Sequence, residues 1–431
     1  MRKFHSQGLA FKGEITALSA LVFALIVSLV GALLQSALLH GERAVERSKV
    51  RCALESVFAE YHKGMLEDYE IFARPGSEEV LRERLSYYGA GEAVQSFVKE
   101  EYLTDHGGLP FYLQAVRYMT DWYGMEGAQD ILELEEEHIE EEEQKILDRI
   151  KEVLEEANLT ISEEDNPIAY IQSLKKNALL PVLISDEQEI SNRSLKIEQL
   201  PTHRDLQKGN TTRTTTHGIK EWALFQGYVA EHFKNYQKQD ETRPLLYEQE
   251  YLLCGKGEDR ENLELVCRKM VSLRLVTNAA YLMSNQSRQA EAEELAALLC
   301  AALMVPELTE LMKVALLFAW AYGESIVDVR VLLKGKKVPL AKNDFNWQLQ
   351  LSSLHNLGSA AEDVQEKEDQ NGISYSMYLA GLLATKKRET ICMRCLDLME
   401  ANLNQKVDQC FTGVEVKTKS YGTFYTTFLY Q

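Results

Sequence analysis

The sequence predicts a mainly helical α+β fold, in which a long N-terminal transmembrane and stem helix precedes an extracytoplasmic domain with a small antiparallel sheet and a C-terminal hairpin. Three observations lead to this prediction. An uncharged apolar run occupies residues 15–39. Apolar residues then recur at three- and four-residue steps through much of the chain, which is typical of helices packed on a core. The last residues alternate in polarity on both sides of a KSYG turn, which is typical of a hairpin.

The apolar run predicts a membrane anchor that contacts the lipid bilayer. It holds 25 residues without a charge. A helix of that length reaches roughly 37 Å, enough to cross a hydrocarbon core of about 30 Å with some tilt. A secretory signal has a shorter apolar region and a clear small-residue cleavage site, and only a weak one follows Ser36. We therefore expect a retained anchor rather than a cleaved signal.

The orientation of this span depends on the segment before it, because basic residues are nearly balanced on its two sides. Residues 1–14 are short, and no later apolar run is long enough to return the chain across the membrane. We expect residues 1–14 to form a cytoplasmic N-terminus. The protein is then a single-pass protein of the cell membrane, and its C-terminal domain lies outside the cell.

Charge and cysteine content narrow the function classes. The net charge is −19, which argues against a nucleic-acid partner because such a protein needs a basic face to replace counterions. The seven cysteines are odd in number and irregularly spaced, so they predict no disulfide framework. Cys392 and Cys395 form a CxxC inside a helical stretch, but no second pair completes a zinc site, and we interpret both as structural rather than as a redox or metal site.

The chain divides into a stem and two further regions. A stem helix is predicted at residues 40–73, and it ends at the breakers Pro75 and Gly76. Residues 74–216 are predicted to be a helical, acidic and partly flexible region. Within that region we expect three features in order, namely short helices at 90–131, an acidic helix at 132–159 and a flexible loop at 201–217.

Residues 217–431 are predicted to form the α+β extracytoplasmic domain. We expect helices at 262–283, at 288–304, from Pro306 onward and at 374–405. We expect strands at 245–255 and 343–354, in addition to the C-terminal hairpin.

The candidate site residues lie in the segment YGESIVDVR. Glu324 and Asp328 are four residues apart and therefore share one face of a helix, with Arg330 close by. Paired carboxylates can perform acid–base catalysis, but such a cluster more often fixes a buried helix end through ion pairs. We interpret Glu324, Asp328 and Arg330 as a structural cluster. No nucleotide, hydrolase or zinc signature occurs in the sequence, so we assign no catalytic, cofactor-binding or metal residues.

Several stretches together resemble one family. They are KGEITALSALVFALIVSLVGALL, SVFAEYHKGMLEDYEIFA, LLYEQEYLLCGKGEDRENLELVCRKMVSLRLVTNAAYLM, and AYGESIVDVRVLLKGKKVPL with GISYSMYLAGLLA. The chain resembles an uncharacterised single-span membrane-protein family of Gram-positive bacteria, whose members are similar to tight-adherence (Tad) pilus and secretion components of the minor pseudopilin type. The resemblance implies a location at the cell envelope, with other pilus or secretion subunits as partners, and implies no reaction.

The expected function is therefore structural. We predict a membrane-anchored component or accessory of a cell-envelope pilus or secretion apparatus, without catalysis. The alternative is a membrane-tethered extracytoplasmic enzyme or ligand-binding module whose site includes Glu324 and Asp328. The enzyme alternative requires these carboxylates to converge on an open cleft with a basic residue, whereas the structural interpretation does not.

Overall fold

The computed structural model describes residues 8–127, 179–184, 190–212, 218–302, 304–356, 369, 371–418 and 425–430. The predicted acidic helix at 132–159 lies outside these residues. The described helices and strands are, in chain order, α1 (Gly8–Phe58), α2 (Lys63–Tyr69), β1 (Arg74–Pro75), α3 (Glu78–Tyr87), β2 (Val94–Tyr102), α4 (Asp105–Gly127), α5 (Leu180–Leu183), α6 (Ile219–His232), α7 (Glu248–Cys254), α8 (Asp259–Ser284), α9 (Gln286–Ala302), α10 (Thr309–Leu333), α11 (Tyr375–Ala384), α12 (Arg388–Leu403), β3 (Cys410–Thr418) and β4 (Tyr425–Leu429).

Helix α1 contains the predicted span. Among the described residues it is the one helix long and apolar enough to cross a membrane, and its large apolar side chains from Ile15 to Leu38 are exposed. Its last turns are different, because Val50, Leu54 and Val57 are buried against the folded body. One helix thus passes from an apolar exposed segment, a candidate for lipid contact, directly into a protein core.

The predicted stem helix at 40–73 ends earlier, at Phe58. A short turn follows, and α2 begins at Lys63 with the His62 side chain accepting a hydrogen bond from the Met65 N–H. Apolar residues continue at the same spacing across this turn, but those before it and those after it pack in two different cores. The end of α1 packs in a small core beneath the sheet, whereas Met65 and Tyr69 of α2 pack in the main core.

The sheet confirms the C-terminal hairpin and adds a strand that the sequence analysis missed. Strand β3 pairs antiparallel with β4, with β1 and with β2. Residues 90–131, predicted as short helices, instead supply β2 and the helix α4. The reason is packing: Val94 and Tyr102 of β2 are buried beside Val414 and Val416 of β3 in the small core.

The main core surrounds α10, which packs against α8 and α9. The helices predicted at 262–283, at 288–304 and after Pro306 are confirmed as α8, α9 and α10, the last preceded by a short 3-10 turn. The helix predicted at 374–405 is interrupted at residues 385–387 and forms α11 and α12.

Two predicted strands are wrong. Residues 245–255 include the helix α7, whose alternating Glu248 and Glu250 are both fully buried, so their spacing does not mark an exposed strand face. Residues 343–354 form turns and a 3-10 helix at Leu351–Asn356. There the N–H groups of Gln348 and Leu349 donate to the Glu324 carboxylate rather than to a neighbouring strand.

The loop predicted to be flexible is anchored over its described part, residues 201–212. The Thr202 side chain and N–H both donate to Asp397. Arg204 pairs with Glu400 and Asp408, each at 2.5 Å. Polar residues that the sequence analysis took as signs of mobility are therefore the groups that attach this segment to α12 and to the turn that follows it.

Candidate functional site

The candidate site lies in the middle of α10, which is buried from Ala315 to Leu333. A helix that is apolar around most of its circumference belongs in the interior of a protein. Glu324, Ser325 and Asp328 interrupt this apolar surface and are themselves fully buried. Because an unpaired charge in such a place costs several kcal/mol, each carboxylate needs partners.

Both carboxylate oxygens of Glu324 accept hydrogen bonds from the loop that follows α10. Its Oε1 accepts from Lys342 Nζ at 2.6 Å and from the Gln348 N–H at 3.0 Å. Its Oε2 accepts from the Leu349 N–H at 2.7 Å. The carboxylate therefore fixes two consecutive backbone amides of an irregular segment that no sheet or helix would otherwise pair.

Asp328 lies one turn later and faces α8. Its Oδ2 accepts from Arg274 Nε at 2.9 Å and from Asn278 Nδ2 at 3.0 Å. Its Oδ1 lies 2.7 Å from Lys342 Nζ, which thus contacts both carboxylates. Two acids and two bases balance one another, so the cluster carries no net charge when all four are ionised.

Arg274 extends the cluster to two further segments. Its Nη1 donates to the carbonyls of Pro339 and Leu340 at 2.9 and 3.0 Å, and to the Tyr378 hydroxyl of α11 at 3.2 Å. Like Asp328, Arg274 is almost completely buried. The cluster of Arg274, Asn278, Glu324, Asp328 and Lys342, called here the α10 charge cluster, joins α8, α10, α11 and the loop between the last two.

The pKa values of Glu324 and Arg274 are both raised, but for different physical reasons. Burial raises the pKa of Glu324, and the charge of Lys342 opposes that rise. Burial by itself would lower the pKa of Arg274, but the charge of Asp328 and the hydrogen bonds raise it above its ordinary value. A guanidinium this firmly protonated holds Asp328 in place as a counter-ion, which is a structural use of charge.

Arg330 does not belong to the cluster. Its Nε and Nη2 donate to the Val182 carbonyl of α5 at 2.8 and 2.5 Å. The predicted trio is thus divided between two sides of α10, with Glu324 and Asp328 together and Arg330 apart. Their spacing explains this result. Asp328 and Arg330 are two residues apart and therefore lie on opposite faces of the helix, whereas Glu324 and Asp328 are four apart and share one face.

Sequence reasoning missed the partners of the carboxylates. Arg274 and Asn278 lie four residues apart on the buried face of α8, where a polar pair is unexpected, and that spacing was the available signal. Lys342 carried no comparable signal, since it lies in a loop with several other lysines. Its role is visible only when the loop is folded over α10.

A second set of buried acids orders the irregular segments around α7. Glu248 accepts from the Lys234 N–H at 2.7 Å, and Glu250 accepts from the Tyr236 N–H at 3.0 Å and the Tyr375 hydroxyl at 2.6 Å. One oxygen of each, Glu248 Oε1 and Glu250 Oε2, accepts no hydrogen bond from the described residues. Burial raises the pKa of both carboxyls to about 7.

These two acids predict that the protein becomes more stable when the pH falls from 8 to 6.5. Their pKa is higher in the folded chain than in the unfolded chain, so the folded state binds protons more tightly and gains stability as the pH falls through 7. The window stops at 6.5 because burial lowers the pKa of His232, which favours the unfolded state below that pH. Urea midpoints of the full chain in detergent should rise across this window.

Glu250→Gln tests the assignment, since glutamine keeps the shape of the protonated acid. The variant should flatten the pH dependence, whereas Glu198→Gln, at an exposed position, should leave it unchanged. A wild-type midpoint that falls on acidification, or an unaltered slope in Glu250→Gln, would contradict the prediction.

The CxxC cysteines lie in the core. Cys392 and Cys395 are fully buried in α12, and burial raises the pKa of both thiols well above the ordinary value. Reactive or metal-binding cysteines need the thiolate form. Within the described residues no group of three or more His, Cys, Asp and Glu side chains could hold a metal ion.

Comparison with known proteins gives a family. The sequence profile of DUF5702, a family of unknown function, matches residues 155–421, which is more than half of the chain. The chain belongs to this family. No curated protein and no solved structure matches it.

The DUF5702 match includes every member of the α10 charge cluster and the acids of α7. It does not include α1, β2 or α4, although β2 forms the longest pairing of β3. The folded body of this DUF5702 protein therefore extends beyond the matched region and takes one central pairing of its sheet from the segment that follows the candidate span.

Proposed function

We propose that this DUF5702 protein is a membrane-anchored structural or accessory subunit of a Tad-like cell-envelope pilus or secretion apparatus, without catalytic activity. In this proposal residues 1–14 are cytoplasmic and the body lies outside the cell. The observation that carries it is the continuity of α1. The helix extends from Ile15, in the candidate span, to Phe58, in the core beneath the sheet.

This continuity supports a mechanical role. Phe58 stacks on Phe428 of β4 with ring centroids 4.3 Å apart, and the Tyr430 hydroxyl donates to the Phe58 carbonyl. The anchor is therefore fixed to the body by packing and hydrogen bonding rather than by a loose linker. A rigid connection of this kind suits a subunit of an assembly that transmits force or movement across a membrane.

The α10 charge cluster supports a role without catalysis. Its carboxylates are fully buried and are occupied by Arg274, Lys342, Asn278 and two backbone amides. A general acid or base must reach the proton that it transfers. Glu324 and Asp328, the residues of the enzyme alternative, have their hydrogen-bonding capacity directed inward, toward the loop and α8.

One experiment tests orientation and assembly together. Cys52 is an exposed native thiol on α1, beyond the candidate span. Intact cells of the native host are treated with a membrane-impermeant maleimide that carries a photoactivatable group, then irradiated, and the adducts are identified by mass spectrometry. We expect labelling of Cys52 in intact cells and crosslinks to other envelope-assembly subunits, both absent in Cys52→Ser.

Each contrary result removes a different part of the proposal. Labelling of Cys52 only after cell lysis would place the body on the cytoplasmic side. Labelling in intact cells with crosslinks only to lipid or to unrelated abundant proteins would remove the assembly role and favour a tethered module that acts alone.

A further inference from the structure

Three cations lie around the C-terminal end of α7, near Cys254. Helix α7 ends at Cys254 and is capped by Gly255, whose φ of 68° is in the left-handed region that glycine favours. The Arg394 guanidinium of α12 lies against this glycine, at a position where a Cβ would be 2.5 Å from Nη2. Arg394 Nη1 donates to the Leu252 carbonyl at 2.7 Å.

Two lysines complete the group. Lys269 of α8 places its Nζ 3.9 Å from the Cys254 sulfur. Lys386, from the turn between α11 and α12, lies close enough to Lys269, Arg394 and the Cys254 thiol for these groups to affect its pKa. All three cations are half-buried, and they come from three different segments of the chain. Only Arg394 has an evident structural task, because its guanidinium satisfies carbonyls at the end of α7.

The group lacks negative charge. In the part of the chain that the structure describes, the neighbouring basic residues Lys256 and Arg268 pair with Glu261 and Glu264, whereas no carboxylate pairs with Lys269, Lys386 or Arg394. The Cys254 thiol is no counter-ion, because burial raises its pKa. Burial, followed by the charges of Lys269 and Arg394, lowers the pKa of Lys386. In a chain of net charge −19, a crowded set of unpaired cations is unexpected.

We propose that Lys269, Lys386 and Arg394 form a binding site for a phosphate-type oxyanion at the end of α7. Two ammonium groups and the edge of a guanidinium match a tetrahedral dianion such as phosphate or sulfate, which accepts several charge-assisted hydrogen bonds at once. A monovalent carboxylate would leave most of the positive charge uncompensated. The dianion can come from free phosphate or from the phosphomonoester headgroup of a lipid such as phosphatidic acid, since both present three terminal oxygens.

The test uses the full chain in detergent, with inorganic phosphate titrated against chloride at constant ionic strength. Two signals are followed, the melting temperature and the rate of Cys254 alkylation measured by peptide mass spectrometry. We expect phosphate to raise the melting temperature with saturation. We also expect it to slow alkylation of Cys254 severalfold, because a bound anion covers the thiol and cancels the charges that favour its thiolate. Exposed Cys52 should react at an unchanged rate and serves as the internal control.

Matched variants separate binding from folding. Lys269→Gln and Lys386→Gln should lose both phosphate effects but melt, in phosphate-free buffer, no lower than the wild type, because each removes like-charge repulsion. Lys256→Gln makes the same charge change beside the group, at a lysine already paired with Glu261, and should keep both effects. Slow Cys254 alkylation in nanodiscs that contain phosphatidic acid, without added phosphate, would identify the lipid source.

Three results would overturn the proposal. They are a phosphate effect no larger than that of chloride, an equal effect of acetate, and an unchanged phosphate response in both lysine variants. None of these results depends on the envelope role proposed above.

Discussion

Replacing Asp328 with alanine is expected to lower the free energy of unfolding by about 3–5 kcal/mol, the range for removing one partner of a buried ion pair. The substitution leaves Arg274 buried without the carboxylate that its Nε and Nη2 contact at 2.9 Å. It also removes one of the two acceptors of Asn278 Nδ2, the other being Ser325 Oγ, and one of the two anions around Lys342. Denaturant unfolding of the full chain in detergent measures the loss.

Asp205→Ala is the matched control, since Asp205 lies on the exposed side of the loop after Pro201. Its effect should lie within about 0.5 kcal/mol, as for most surface substitutions. An Asp328→Ala protein that melts at or above the wild-type temperature would contradict the structural interpretation. It would instead favour the tethered-enzyme alternative, because functional sites often retain groups that reduce stability.

Phe58→Ala is expected to lower the stability of the body by about 3–5 kcal/mol, the usual cost of removing a buried phenyl ring. Phe58 is fully buried, stacks on Phe428 and meets Tyr430 edge-on at 5.4 Å. Loss of the ring opens a cavity where α1 enters the small core. Limited proteolysis should then cut the turn at 59–62 first, which separates the body from α1.

The same substitution at Phe23 provides the control within one helix. Phe23 is 68% exposed on the candidate span and contributes nothing to the small core. Phe23→Ala should leave both the unfolding of the body and the proteolysis pattern unchanged. Equal effects of the two substitutions would mean that α1 is not joined to the body through Phe58.

Much of this fold follows from local patterns. The span, the helices α8 to α10 and the C-terminal hairpin each repeat their apolar residues at one period over many residues, and period is the strongest signal in a sequence. The prediction failed where a segment is buried on all sides, because no exposed polar face then marks the period of its apolar residues. Residues 245–255 alternate like a strand, but both of the polar residues that create the alternation, Glu248 and Glu250, are buried in a helix.

The candidate site shows a related limit. Glu324 and Asp328 could be selected because two acids on an apolar helix are conspicuous and because four-residue spacing fixes a common face. Their partners are distant in sequence: Arg274 lies 54 residues before Asp328, and Lys342 lies 18 residues after Glu324. Which base pairs with which acid is decided by how α8 and the 334–350 loop pack on α10. One sequence read alone does not contain that information.

The pairing of β3 with β2 determines how late during synthesis the sheet can form. Thr412 of β3 donates to Glu101 of β2, a residue translated 311 positions earlier. Helix α1 and β2 can therefore leave the ribosome long before the strand that completes their shared core is made. Closing so long a loop is entropically costly, and contacts at this separation form slowly. During that interval the unpaired edges of β2 expose hydrogen-bonding groups that other chains can pair with, so the chain is most prone to aggregate before β3 is made.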